Sequence, residues 1–174
     1  MTPESQNELF AKYPKIFRQK DLPKNQTAMC WGIDTGDGWY NIIDTLCHQI
    51  QWHIKHNLNK GEDPEAVNVE AIQVKEKYGG LRFYYNGGND FINGLVNMAE
   101  GMSEKTCEEC AAPGTQNEFG WISTLCTPCR DTLDERRKLR WETGTQAGDP
   151  EPSAINECND EEERGTNPSV EEDE

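Results

Sequence analysis

Four cysteines fall at positions 107, 110, 126 and 129, as two C-x2-C pairs separated by fifteen residues. This spacing constrains the chain more than any other feature in it. A C-x2-C turn lets two thiolates reach one ion while backbone amides point at the sulfurs. Two such turns at this separation match a closed tetrahedral shell around a structural zinc. Cys107, Cys110, Cys126 and Cys129 are therefore assigned as the ligands of one Zn2+. A catalytic zinc keeps a coordination position open, and four thiolates leave none. Free or redox-active thiols are the competing reading, and closed four-cysteine sites are the commoner use of the spacing. Ala111, Pro113 and Gly114 follow the first pair as a knuckle requires. Residues 119–122 read as one arm of a short hairpin. Thr127 as N-cap and Pro128 in the first turn then start a helix that carries Cys129. The expected module is a treble clef-like finger, with a two-knuckle zinc ribbon as the alternative. Finger nucleases need a histidine beside the helix, and His48, His53 and His56 all lie far upstream.

Charge divides the chain. The formal net charge is −15 over 174 residues. Residues 142–174 hold twelve acidic side chains and one basic one, Arg164, a net of −11 that leaves −4 for residues 1–141. With 34% apolar residues and a mean hydropathy of −0.90, some length is expected to lack a core. The reading is an α+β domain over 1–104, the zinc module over 105–141 and a disordered acidic tail over 142–174. The acidity argues against general nucleic-acid binding. No secretory signal and no apolar run of about 18 residues is visible, so a cytoplasmic chain with reduced thiols and no membrane contact is expected.

Within the domain, residues 4–12 predict a short helix with Leu9 and Phe10 as contacts, ended by Pro14, with Ile16 and Phe17 tucked into the core. Residues 18–28 read as polar loop. The glycines of 30–44 make turns, and Asp37 is a plausible N-cap for the next helix. That helix has the clearest period in the chain, with Trp39, Ile42, Ile43, Leu46, Ile50, Ile54 and Leu58 in one stripe. Residues 67–85 read as a hairpin turning at Tyr78-Gly79-Gly80, with a bulge near Ala71. Asn89 or Asp90 caps a second helix with Phe91, Leu95, Met98 and Met102 on one face. The fold class is thus a long and a shorter helix packed on a β-hairpin, followed by the zinc module.

Other groups carry weaker chemistry. His53 and His56 share a helix face, but nothing completes a second metal set. Cys47 and His48 are neighbours that point about 100° apart. Cys30 and Cys158 are single thiols. Arg130, Arg136, Arg137, Lys138 and Arg140 read as a solvated helix face diluted by Asp131, Asp134 and Glu135. In the hairpin, Ile72 and Val74 facing the core send Lys75 and Lys77 outward, and Leu81, Phe83 and Tyr85 facing in send Arg82 and Tyr84 out. Cations beside an aromatic suit an anionic ligand or an acidic partner, and an ordinary solvated sheet face is the equal alternative. Trp31, Asp34 and Asp37 in the glycine-rich loop are a further candidate wall of a ligand pocket. The loop has no Walker, dinucleotide or EF-hand pattern.

The blocks CWGIDTGDGWYNIID, VKEKYGGLRFYYNGG, MSEKTCEEC and GWISTLC resemble, in the same order, a group of uncharacterised proteins of tailed bacteriophages. The likeness spans residues 7–130. In that group the last ligand position is often histidine, where this chain has Cys129. The resemblance implies a phage accessory protein in the host cytoplasm and brings no assigned catalytic residue. Three functions follow as expectations. The first is a non-enzymatic protein that binds and modulates a host or defence protein. The second is a nucleotide-sequestering or processing protein, and the third, disfavoured by charge, a nucleic-acid-binding finger.

Overall fold

A computed structural model describes residues 1–58, 68–117 and 120–143. Residues 144–174 of the expected tail, with Cys158, Val67, Phe119 and the side chain of Leu58, lie outside the described residues, whereas Glu142 and Thr143, expected in the tail, belong to the last helix. The chain is a mixed helix-and-sheet protein with a cysteine cluster in its C-terminal region.

Helix α1, Pro3–Lys12, opens with the Thr2 hydroxyl accepting from Ser5 N–H and buries Leu9 and Phe10. Ile16 and Phe17 follow it into the core as expected. The segment before the long helix is more structured than turns alone. Short 3-10 turns at Met29–Trp31 and Asp37–Trp39 flank a two-residue strand β1, Ile33–Asp34, parallel to the next strand. Helix α2, Tyr40–Leu58, then buries Ile42, Ile43, Leu46 and Ile50 in one stripe, with Trp39 fully buried at its start.

Asp37 does not cap α2. Its carboxylate instead accepts from Thr2 N–H and the Thr2 hydroxyl, at 2.8 and 3.2 Å, and so ties α1 to the loop.

Strands β2, Val69–Lys77, and β3, Gly80–Gly87, form the hairpin, in sheet order β1-β2-β3. The turn is two residues long, with Tyr78 at φ 55° and Gly79 at φ 73°. Positive φ at both positions gives the turn the twist that a two-residue hairpin needs. The register slips between Ala71 and Gln73, which makes Ile72 the bulged residue. Fully buried Ala71 therefore takes the core place expected for Ile72, which is only half-buried.

Helix α3, Asp90–Ser103, is capped by Asn89, whose side chain accepts from Ile92 N–H. Its buried face is Ile92, Val96, Ala99 and Ser103, not the stripe of larger side chains. Helix α3 lies along the open edge of β3 and caps two of its N–H groups. The Ser103 hydroxyl accepts from Leu81 N–H at 2.8 Å and the Glu100 carboxylate from Phe83 N–H at 3.0 Å. One continuous core joins α1, α2, the sheet and α3.

Candidate metal centre

The end of α3 runs straight into the first cysteine knuckle, with Thr106 N–H bonded back to the Ser103 carbonyl. Cys107 N–H donates to Ala112 O, and Ala111 N–H to Cys107 O, closing the knuckle. Strands β4, Thr115–Gln116, and β5, Thr124–Leu125, are the arms of the module's hairpin. Trp121 and Ile122, expected in an arm, belong to the loop between them. Helix α4, Thr127–Thr143, follows. It includes Thr127, so the cap position falls one residue earlier than expected, on Cys126, whose carbonyl accepts Arg130 N–H at 3.0 Å. Knuckle, hairpin and helix together have the treble clef-like order.

This arrangement brings all four cysteines together. Their sulfurs lie within 4.8 Å of one another, with Cys110 and Cys126 at 3.5 Å. Four sulfurs at about 2.3 Å from a central ion stand about 3.8 Å apart, so the cluster fits one metal ion. The electrostatics agree. Burial pushes the Cys107 thiol up, but hydrogen bonds from the backbone of Cys126, Cys110 and Glu109 outweigh it and hold it down at about 7. Cys129, hydrogen-bonded to the Cys126 and Cys110 thiols, is pushed up. The neighbouring thiols thus oppose ionisation of Cys129, a conflict that a central cation would remove. Among the described residues this is the one cluster of His, Cys, Asp or Glu able to hold an ion.

The module is bolted to the domain along a polar seam. Glu108 O accepts Gly38 N–H at 2.7 Å, and the Glu108 carboxylate accepts Gly36 N–H at 2.9 Å. The indole of buried Trp39 donates to Thr106 O at 2.8 Å. On the other side the Thr124 hydroxyl donates to Gly79 O, and the Gln116 amide to Tyr78 O at 3.3 Å. A Cβ on Gly38 would stand 2.2 Å from Cys107 O, and one on Gly36 2.4 Å from Glu108 O. The glycines of GDG thus admit the knuckle backbone as well as forming a turn. Neither this role nor that of Glu108 is visible in the sequence, because the approaching backbone lies about seventy residues downstream.

The other sequence-derived candidates divide. The register places Asp34, Lys75 and Arg82 side by side across the three strands. Lys75 Nζ lies 5.8 Å from the centre of the Tyr84 ring, and Lys77 Nζ lies 5.4 Å from that of Tyr78. Arg82 turns to the sheet edge, donating to Leu81 O at 2.7 Å and standing 4.0 Å from Glu100. Of the loop candidates, Asp37 accepts from Thr2 N–H, Asp34 lies beside Lys75 in the sheet, and Trp31 is exposed.

The histidines are separately engaged. His53 bonds to the Asn89 amide and stacks on Phe91 at 4.3 Å, while His56 stacks on Trp52 at 3.9 Å. Buried Cys47 and exposed His48 point apart. In α4, Arg130 serves the module itself by donating to Thr115 O at 2.6 Å.

Two surface features were not visible as such in the sequence, although Lys75 and Lys77, which line the second, were among its candidates. One is a cavity of about 170 Å3 between α2 and α3, bordered by exposed Met98 and Met102. The other is a cleft of about 340 Å3 between the tip of the β2–β3 hairpin and the loop of residues 120–122. No described helix is long and apolar enough to cross a membrane. No family model matches the chain, and no curated protein or solved structure matches it significantly.

Proposed function

We propose that this chain is a non-catalytic binding protein that captures a helical segment of a partner protein between α2 and α3, on a scaffold completed by one structural zinc ion. The observation that carries the reading is the outer face of α3. Phe91, Met98 and Met102 are 50%, 55% and 51% exposed, and Leu95 lies half-buried among them. Apolar area left in water costs about 25 cal/mol per Å2. A row of such side chains beside a formed groove suits helix-in-groove recognition. Methionine adapts its shape to a partner at little cost. The groove is also lined by the neutral Asn41, Thr45 and Gln49, so apolar anchors at helical spacing fit it better than charged ones.

The motif blocks shared with phage proteins direct the search to host or defence proteins of the bacterial cytoplasm, and that part rests on the resemblance alone. A chain of net charge −15 is a poor match for nucleic acid. Zinc is the proposed ion because four thiolates in a closed tetrahedral set suit it. Metal analysis of the purified full chain should give one zinc per chain, and iron or no metal contradicts this.

The groove is tested by affinity capture from bacterial lysate with the wild type and a Met98→Glu/Met102→Glu variant. The wild type should retain a specific partner that the variant loses while keeping its circular dichroism. Equal capture by the folded variant contradicts the reading.

A further inference from the structure

We propose that the cleft between the hairpin tip and the zinc-module loop is a binding site for a small ligand joining a flat heteroaromatic ring to an anionic group, a nucleoside monophosphate being the prototype. This goes beyond the protein-binding reading and uses a different surface.

The cleft is lined by Lys75, Glu76, Lys77 and Tyr78 on one side and by Gly120, Trp121 and Ile122 on the other. Its size, about 340 Å3, lies at the lower end of small-molecule sites and suits one ring and one anion rather than an extended chain. Tyr78 and Trp121 are 71% and 74% exposed. Two large aromatics held in water on either side of one cleft are platforms for a π-face, and any nucleobase presents one.

The charge is also placed. Neither Lys75 nor Lys77 pairs with a carboxylate among the described residues; each lies over an aromatic ring. The carboxylate that lines the cleft, Glu76, is turned to the Gly79 N–H in the turn. Two cations with rings beside them suit an anion carried on an aromatic.

Both walls are built. The Tyr78 side is set by the turn with positive φ at two residues, and its carbonyl is held by Gln116. The Trp121 side is braced by Asn117, whose amide donates to Trp121 O at 2.9 Å and whose side-chain oxygen accepts Ser123 N–H at 2.7 Å. Ile122 packs at the turn, with its Cγ2 3.2 Å from where a Gly79 Cβ would stand. The site therefore exists only while the zinc module is docked.

The test is calorimetric titration of the metal-loaded full chain, at low ionic strength, with AMP, GMP, CMP and UMP, and separately with inorganic phosphate and adenosine. At least one nucleotide should bind 1:1 and more tightly than either fragment. Trp121→Ala, which removes the ring platform, should weaken it about tenfold. Lys75→Ala/Lys77→Ala should weaken it about fivefold or more and flatten its salt dependence. Both variants alter exposed or half-exposed side chains and should keep the wild-type thermal midpoint, and Met98→Glu/Met102→Glu should bind as wild type. No saturable binding of any nucleotide, phosphate binding as tightly as the nucleotide, or binding that survives both cleft variants overturns the proposal.

Discussion

The domain and the cysteine module bury very different amounts of their side chains. The domain buries a continuous cluster running from Leu9 in α1 through Trp39, Ile43 and Ile50 to Leu81 and Ile92. In the module only Cys107, Thr124 and Leu125 are buried among the described residues. A hydrophobic core that small cannot offset the entropy of ordering its loops. In place of a core it has a cluster of four cysteines able to hold a metal ion and a seam of hydrogen bonds to the neighbouring domain. The lesson is one of dependence. We propose that the domain has enough core to stand without the module, whereas the module needs both a bound ion and the domain surface.

The sharpest way to break this asymmetry is at the metal. Cys126→Ser, or a strong chelator, should unfold the module and leave the domain folded, because metal binding in such sites is worth on the order of 10 kcal/mol of local folding free energy. Far-UV circular dichroism should lose the α4 signal while keeping that of α2. Trp39→Ala is the next largest effect, at about 3–5 kcal/mol in denaturant unfolding. It should loosen both regions, since this side chain is in the core and also bonds to Thr106.

Gly38→Ala sharpens the comparison at the seam. The added methyl would press on the Cys107 carbonyl, and the expected cost is about 1–3 kcal/mol, with weaker metal retention under competition by a chelator.

The smallest effect lies wholly inside the domain. The Tyr13 hydroxyl and Lys12 donate to the Asp44 carboxylate, at 2.7 and 2.6 Å. Burial opposes the charge on Asp44, but these two partners outweigh it and hold the carboxyl below its usual range. A depressed folded pKa contributes stability above the unfolded carboxylate pKa and loses it as pH falls through the folded one. Tyr13→Phe should therefore cost about 1–2 kcal/mol at neutral pH and less in acid, without affecting the metal.

Much of this was legible from residue patterns, for identifiable reasons. The clustering of Cys107, Cys110, Cys126 and Cys129 follows from a short spacing that carries its own geometry. The α2 stripe shows because seven side chains repeat with the helical period. Features that depend on a distant partner did not show. Strand β1 is two residues long and exists because β2 supplies its hydrogen bonds. Helix α3 is apolar on two sides, burying Ile92, Val96 and Ala99 while Phe91, Met98 and Met102 stand outward, and periodicity alone does not say which side meets the domain. The shift from Ile72 to Ala71 follows a one-residue bulge whose approximate place was visible and whose consequence for facing was not. The cleft unites Tyr78 with Trp121 through a docking seam that neither segment announces.

Hydrogen–deuterium exchange of the full chain, with and without its metal, tests the central claim most directly. On metal removal, protection should be lost across residues 105–143 and weakened at 36–39 and 78–79. It is retained in α2, β2 and β3. Unchanged protection in 105–143 without metal, or loss of protection throughout the chain in one step, would contradict it.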